Sequence, residues 1–150
     1  MGWNELLQIL CGTLGTLGFA FVFHIRGKRI FFAAFGGLLA WALYLLLGLF
    51  LPDATLRCFL VSVVVSLYAE LLARLLKTPA VTFSTISLIP LVPGSSLYYT
   101  MTGAFRGDGD AFLTSGVETL KIAAALSLGT VLVSTSFAYA KKYLLTKKQG

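Results

Sequence analysis

VTFSTISLIPLVPGSSLYY, residues Val81 to Tyr99, sits inside a 28-residue run, Thr78 to Phe105, with no charged side chain. About 20 apolar residues suffice to cross a bilayer, so the run reads as a membrane segment. Pro90, Pro93 and Gly94 interrupt it. Each proline removes a backbone donor and crowds the preceding turn. Each also pushes the residue before it, Ile89 and Val92, away from helical angles. Gly94 permits an irregular backbone. The pattern predicts two half-helices that meet at Pro90–Gly94.

Unwound backbone at membrane depth is tolerated only where protein or a wet cavity satisfies it. Hydroxyls crowd both sides of the break: Thr82, Ser84, Thr85 and Ser87 before it, Ser95, Ser96 and Thr100 after it. Ser95 or Ser96 is placed to cap the second half-helix. Free amides at such a start favour an anion such as a carboxylate. Broken helices are a common way to build a transporter's substrate site. On that reading Thr85, Ser87, Pro90, Pro93, Gly94, Ser95, Ser96, Tyr98 and Tyr99 are the candidate pathway residues. The competing reading is a kinked structural helix whose hydroxyls bond back to its own carbonyls.

Working outward, the chain of 150 residues is 57% hydrophobic and 12% charged, with a mean hydropathy of +0.87. Soluble domains carry about a quarter charged residues, so the composition predicts an all-α polytopic membrane bundle, one integral domain over 1–150. The net charge of +6 does not point to nucleic acid, because the cations flank apolar spans. Cys11 and Cys58 lie inside apolar segments without CxxC or histidine neighbours, which predicts packing residues and neither a disulfide nor a metal site; no cofactor is expected. Glu5 stands where a signal peptide would be basic, so the first apolar run reads as a retained span.

Five spans are expected, at about 6–24, 30–51, 56–73, 80–103 and 114–140. In the first, Gly12, Gly15 and Gly18 recur, with Thr16 and Cys11 adding small-xxx-small pairs; this predicts a buried helix at the bundle centre. Gly37, with Ala33 and Ala40, supplies a small face in the second, where Trp41 and Tyr44 read as packing residues. In the third, Ser62, Ser66 and Glu70 share a face at four-residue spacing, continued by Arg74. Glu70 is a candidate coupling carboxylate on a polar track, or else one half of an i,i+4 ion pair with Arg74. His24, at an interface beside Arg26, Lys28 and Arg29, is a second coupling candidate, or is simply solvated. Asp108 and Asp110 start like a calcium loop, but the later ligand positions are missing. The last span is rich in hydroxyls, Ser127, Thr130, Ser134, Thr135 and Ser136, and is expected to face protein or a pathway.

Five spans put Arg26, Lys28, Arg29, Arg74, Lys77 and the tail lysines 141, 142, 147 and 148 on one side. Arg57, Arg106 and Lys121 fall on the other, with Asp53, Asp108, Asp110 and Glu118. The positive-inside rule then predicts an outside N-terminus and a cytoplasmic C-terminus.

Pro90-Leu91-Val92-Pro93-Gly94, followed by Ser95-Ser96-Leu97-Tyr98-Tyr99-Thr100-Met101, is similar to the proline-glycine segment of the threonine/serine exporter family. Gly18-Phe19-Ala20-Phe21-Val22-Phe23, ending at a basic loop, resembles its small-subunit, YjjB-like branch. The resemblance covers about Gly12 to Ala140, with Lys77 to Met101 its most specific part. It implies a subunit of a bacterial inner-membrane exporter of small carboxylate metabolites, threonine and serine or dicarboxylates such as succinate. It also implies a larger family partner with a cytoplasmic N-terminal domain. It assigns no role to any single residue.

Three functions compete on these readings. The first is secondary active export with no chemistry on the substrate; no GxxxxGK[ST] motif for ATP is present. The second is an intramembrane enzyme, which lacks a convergent nucleophile and base. The third is a non-transporting scaffold that completes its partner's fold through small-residue faces.

Overall fold

The computed structural model describes residues 3–25 and 27–147. Arg26 and Lys148, counted above among the cations, lie outside the described residues. The described chain is helical throughout, without strands: α1 (Trp3–Val22), α2 (Lys28–Gly48), α3 (Ala54–Leu76), α4 (Ala80–Leu88), a 3₁₀ turn (Ile89–Leu91), α5 (Gly94–Arg106) and α6 (Gly109–Lys147). Three helical stretches are long and apolar enough to cross a membrane: Arg29–Gly48, Ala54–Leu76 and Gly109–Ala140. Ala80–Leu91 and Gly94–Arg106 pass the same test jointly, bent by 62°. The apolar part of α1, Leu6–Val22, is shorter, so length and composition license up to four crossings.

The helix ends follow from local chemistry. Asp53 caps α3 by accepting a bond from the Thr55 amide at 2.9 Å. His24 takes the left-handed conformation, φ 54°, just past α1. The Ile25 amide reaches back to the Ala20 carbonyl and the His24 amide to Phe21. That is a Schellman ending, with Ile25 and Ala20 buried in one apolar cluster as the motif requires. Lys77 and Gly107 end α3 and α5 in the same left-handed way.

Close helix approach sets the packing. A Cβ on Gly37 would strike Thr16 of α1, one on Gly36 would strike Ser87 of α4, and one on Gly129 would strike Ser62 of α3. Gly12 lies against Pro90 and Trp41, and Trp41 stacks on Tyr44 with ring centroids 5.5 Å apart. The expectation of a central α1 is corrected. Gly15 and Gly18 have no neighbouring atom within 4 Å of a built Cβ, and α1 packs chiefly on α2. Residues three apart drift by about 60° around a helix, so the three glycines do not share a face. The buried face is Gly12, Thr16 and Ala20, spaced by four, with Thr16 and Ala20 fully buried.

α3 and α6 run parallel. Cys58 clusters with Ile122 and Ala125, Ser66 meets Thr130, and the Arg74 guanidinium lies over the Phe137 ring at 4.6 Å. Two parallel neighbours require the intervening segment to travel back along the bundle, which is what α4 and α5 together do. α4 sits among α2, α3 and α1, whereas α5 packs on α6. Gly103 touches the Phe112 backbone, and Thr100 touches Gly116.

Candidate functional site

The break falls where the sequence placed it, but its two prolines act differently. Ile89 before Pro90 keeps helical angles, φ −50° and ψ −43°. The expected displacement of Ile89 does not occur, because the chain tightens into a 3₁₀ turn and the Ile89 amide bonds to the Ile86 carbonyl. Val92 before Pro93 is extended, φ −60° and ψ 129°. Pro93, at φ −75° and ψ 60°, centres an inverse γ-turn closed by the Gly94 amide on the Val92 carbonyl at 2.7 Å. Ser95 and Ser96 do not cap α5. The helix already begins at Gly94, Pro93 occupies the cap position, and no side chain bonds there.

A cavity of about 110 Å³ lies between α3, α4 and α6. α3 contributes Ser66, Ala69 and Glu70; α4 contributes Ala80, Val81, Ser84 and Thr85; α6 contributes Thr130 and Ser134. A wider recess of about 410 Å³ shares Glu70, Ala80 and Ser134 and is completed by Ala73, Arg74, Thr78, Phe137 and Ala138. Glu70 therefore stands where the two spaces join. The Arg74 guanidinium is engaged with Phe137, and among the described residues Glu70 has no ion-pair partner. The i,i+4 pair is not formed.

The hydroxyls around the cavity are of two kinds. Those on α6 donate to their own helix: Thr130 to the Leu126 carbonyl at 2.9 Å and Ser134 to Val131 at 3.2 Å. One lone pair of Thr130 is taken by Ser66, and the Ser134 oxygen makes no accepting bond among the described residues. Ser66 sets its hydroxyl toward Thr130 Oγ1 at 3.4 Å. Ser84, only 7% exposed, and Thr85 have no hydrogen-bond partner among the described residues. Thr82 and Ser87 likewise make none, so the hydroxyls of α4 do not bond back to its carbonyls. Of these four, only the Ser87 oxygen is itself buried without a partner, at a cost of roughly 1–3 kcal/mol.

The N-terminus of α4 lines the same space. Its cap is Pro79, with no side-chain hydrogen bond, and the Thr78 hydroxyl is turned to the Leu76 carbonyl at 3.1 Å. The first amides of the helix, at Ala80 and Val81, therefore sit uncapped beside Glu70.

The other pathway candidates are dispersed. Ser87, one turn beyond Ser84, is fully buried against Gly36 and outside the cavity lining, its hydroxyl unpartnered. Pro90 packs on Gly12. Gly94, Ser95, Tyr98 and Tyr99 are exposed and Pro93 and Ser96 half-buried; the two tyrosine rings meet edge to face at 5.6 Å. His24 is exposed, its Nδ1 3.0 Å from the Val22 carbonyl, and is absent from the lining of the Glu70 cavity. No group of three or more His, Cys, Asp or Glu gathers among the described residues, Asp108 and Asp110 included; Asp108 caps α6 through the Ala111 amide at 3.0 Å. Ser84, Thr130 and Ser134 were the residues whose convergence was missed. Each stood out as a hydroxyl in a membrane segment, but only tertiary packing sets them against Glu70.

Neither curated proteins nor solved structures yield a match to the chain. The apolar helices, the bent pair and the hydroxyl-lined cavity fit a transport protein, and a family model described as "Threonine/Serine exporter, ThrE" matches residues 8–136. The chain thus belongs to the threonine/serine exporter family.

Proposed function

We propose that this chain is a subunit of a secondary active exporter that moves small carboxylate metabolites out across the bacterial inner membrane. The single observation that supports the route is the cavity between α3, α4 and α6, with its lone carboxylate and unpartnered α4 hydroxyls. A hydroxyl-lined space beside a broken helix is how secondary transporters hold a polar cargo at membrane depth. Thr85 lies on this route, and Ser95, Ser96, Tyr98 and Tyr99 would stand at its exit beyond the break. On this reading α1 is the fifth crossing, the N-terminus is outside and the lysine-rich tail is cytoplasmic. A larger family partner with a cytoplasmic domain completes the transporter. The chain acts by binding and release and makes or breaks no covalent bond.

The scaffold reading is favoured by one feature, the open face of α1 at Gly15 and Gly18, where another helix backbone could approach. The test is uptake of labelled threonine, serine or succinate into inverted membrane vesicles from cells that make both subunits. Export predicts gradient-dependent uptake that falls at least about tenfold with Glu70→Ala, the scale of one lost charge-assisted contact. Unchanged uptake with Glu70→Ala, but loss of the complex with Gly15→Leu, would instead assign the chain an assembly role.

A further inference from the structure

We infer that the hairpin made by α5 and the first turns of α6 stands outside the lipid core and pairs there, apolar face to apolar face, with the same hairpin of a second copy of this chain. Charge marks the edge of the core. Ile122 to Ala140 is an uncharged stretch of 19 residues between Lys121 and Lys141. As helix it spans about 28 Å, close to the roughly 30 Å of a bilayer's hydrocarbon. The neighbouring helices agree. Cys58 packs with Ile122 and Ala125, which puts Arg57 level with Lys121, and the Arg57 guanidinium lies against Gly48 at the end of α2. At the far edge Arg74 lies over Phe137, and Arg29 donates to the Leu76 carbonyl at 3.4 Å.

α6 reaches well past Lys121. Its Gly109–Lys121 portion extends about another 18 Å, of which the headgroup layer covers only about 5–8 Å. α5 runs antiparallel beside it. Gly103 touches the Phe112 backbone and Thr100 touches Gly116, so Leu97 stands near the level of Leu120, at the edge of the core. The rest of α5 lies beyond that edge.

The hairpin has one apolar side. With Thr100 and Gly103 turned to α6, helical period puts Leu97, Met101 and Phe105 on one flank of α5. With Phe112 and Gly116 turned to α5, it puts Leu113, Val117 and Leu120 on one flank of α6. Because the two helices are antiparallel, both flanks fall on the same side of the hairpin, away from Arg106 and Glu118. All six residues are uncharged and exposed, Phe105 by 85%. Exposed leucines on α1 and α2 have lipid to cover them; most of this face does not.

The six leave on the order of 750 Å² uncovered, and a stable interface takes about 800 Å² from each partner. Apolar patches of that size are rarely left bare. Copies of one chain enter the membrane in the same direction, so they pair about a two-fold axis along the membrane normal. That rotation sets α5 of one copy against α6 of the other. Every neighbouring pair is then antiparallel, and the two hairpins close into a four-helix bundle with these six residues as its core. Charged groups stay at the rim. The fit requires no other chain, and it holds whatever the cargo.

Disulfide trapping in membranes tests the pairing. Two differently tagged full chains are made together, both carrying Cys11→Ala and Cys58→Ala. One also carries Met101→Cys and the other Leu113→Cys. Oxidation is expected to join them into a product of twice the chain's mass, whereas Thr102→Cys with Leu113→Cys gives none. Thr114→Cys, off the apolar side, should react with a charged, membrane-impermeant maleimide in open membrane sheets. In lipid nanodiscs the unmodified chain should have the mass of a dimer. Leu113→Lys should weaken that dimer at least about tenfold, since it buries a charge from each copy. It should leave the monomer folded, because Leu113 is 61% exposed there. Should the cysteine background fail to fold, the nanodisc masses decide alone. A monomer in nanodiscs would overturn the pairing, as would equal trapping through Thr102→Cys or a cross-link only to a different protein. A Thr114→Cys thiol shielded from the charged reagent would place the hairpin in lipid and overturn it too.

Discussion

The two halves of the broken segment differ in apolar character and have opposite fates in the fold: α4 is the more apolar half, whereas α5 is richer in polar side chains and ends at Arg106. α4 is threaded through the bundle: Phe83, Ile86 and Ser87 are fully buried, and α2, α3 and α1 all touch it. α5 leaves the bundle and packs on α6, with Tyr98 65% and Phe105 85% exposed. Level by level, Leu91 lies with Val61 and Val65, nearer the Ala54 end of α3 than the Leu76 end. The break is therefore not a symmetric meeting of half-helices around one central site. α4 is a wedge held near its C-terminal end by the tight contact of Ser87 with Gly36, with a polar cavity along its N-terminal turns. α5 is an arm that follows α6 outward. An anion site at a broken helix had been expected at the start of α5; the unfilled helix start that lines a cavity is that of α4.

The sharpest way to break this contrast is to make one change on both sides of it. Gly36→Ala drives a methyl into Ser87, whose Cβ would lie 2.9 Å away, and onto Tyr68 at 3.2 Å. Ser87 is fully buried and has no open space to move into. Overpacking of this kind costs about 1–3 kcal/mol, and the value expected here is about 3. A clear fall of the thermal midpoint in detergent, together with loss of serine uptake by vesicles, is the expected outcome. A midpoint equal to that of the unmodified chain would mean that α4 is not wedged against α2.

Ser87→Ala comes next and should act in the opposite direction. The Ser87 hydroxyl is buried without a partner, so removing it relieves a desolvation cost of about 1–2 kcal/mol and leaves the backbone in place. The midpoint should rise. Paired with Gly36→Ala, it should also remove part of the clash, because the hydroxyl oxygen is the atom nearest to the added methyl. A double-mutant cycle then gives a coupling well above the few tenths of a kcal/mol seen between independent sites. Strict additivity would show that the two residues do not touch.

How much of this was legible in the sequence depends on whether the cause was local. Two prolines and a glycine break a helix wherever it lies, so Pro90–Gly94 could be read directly. The stripe Ser62, Ser66 and Glu70 follows from helical period, and the structure turns it toward α6 as that spacing suggests. The face of α1 was misjudged because three-residue spacing was taken for alignment, while the four-residue pair Gly12 and Thr16 marks the real contact. Arg74 could not be placed from sequence: its helical neighbour Glu70 and the distant Phe137 compete for it, and the ring on α6 holds it. The cavity itself was out of reach. Ser84 and Ser134 are 50 positions apart in sequence, and only the parallel run of α3 beside α6, with α4 also packed on α3, brings them to one space.

The smallest expected effect completes the pair of glycines. Gly94 begins α5, its φ is not left-handed, and a built Cβ meets nothing within 4 Å. Alanine there loses less backbone freedom on folding than glycine does, which favours the helix by up to about 1 kcal/mol. Gly94→Ala should therefore leave the thermal midpoint unchanged or slightly raised, and uptake by vesicles intact. If uptake collapsed while the fold survived, the arm beyond the break would have to approach another surface closely during the transport cycle. The open space beside Gly94 would then be a working clearance, and the functional weight now placed on α4 would have to be shared with α5.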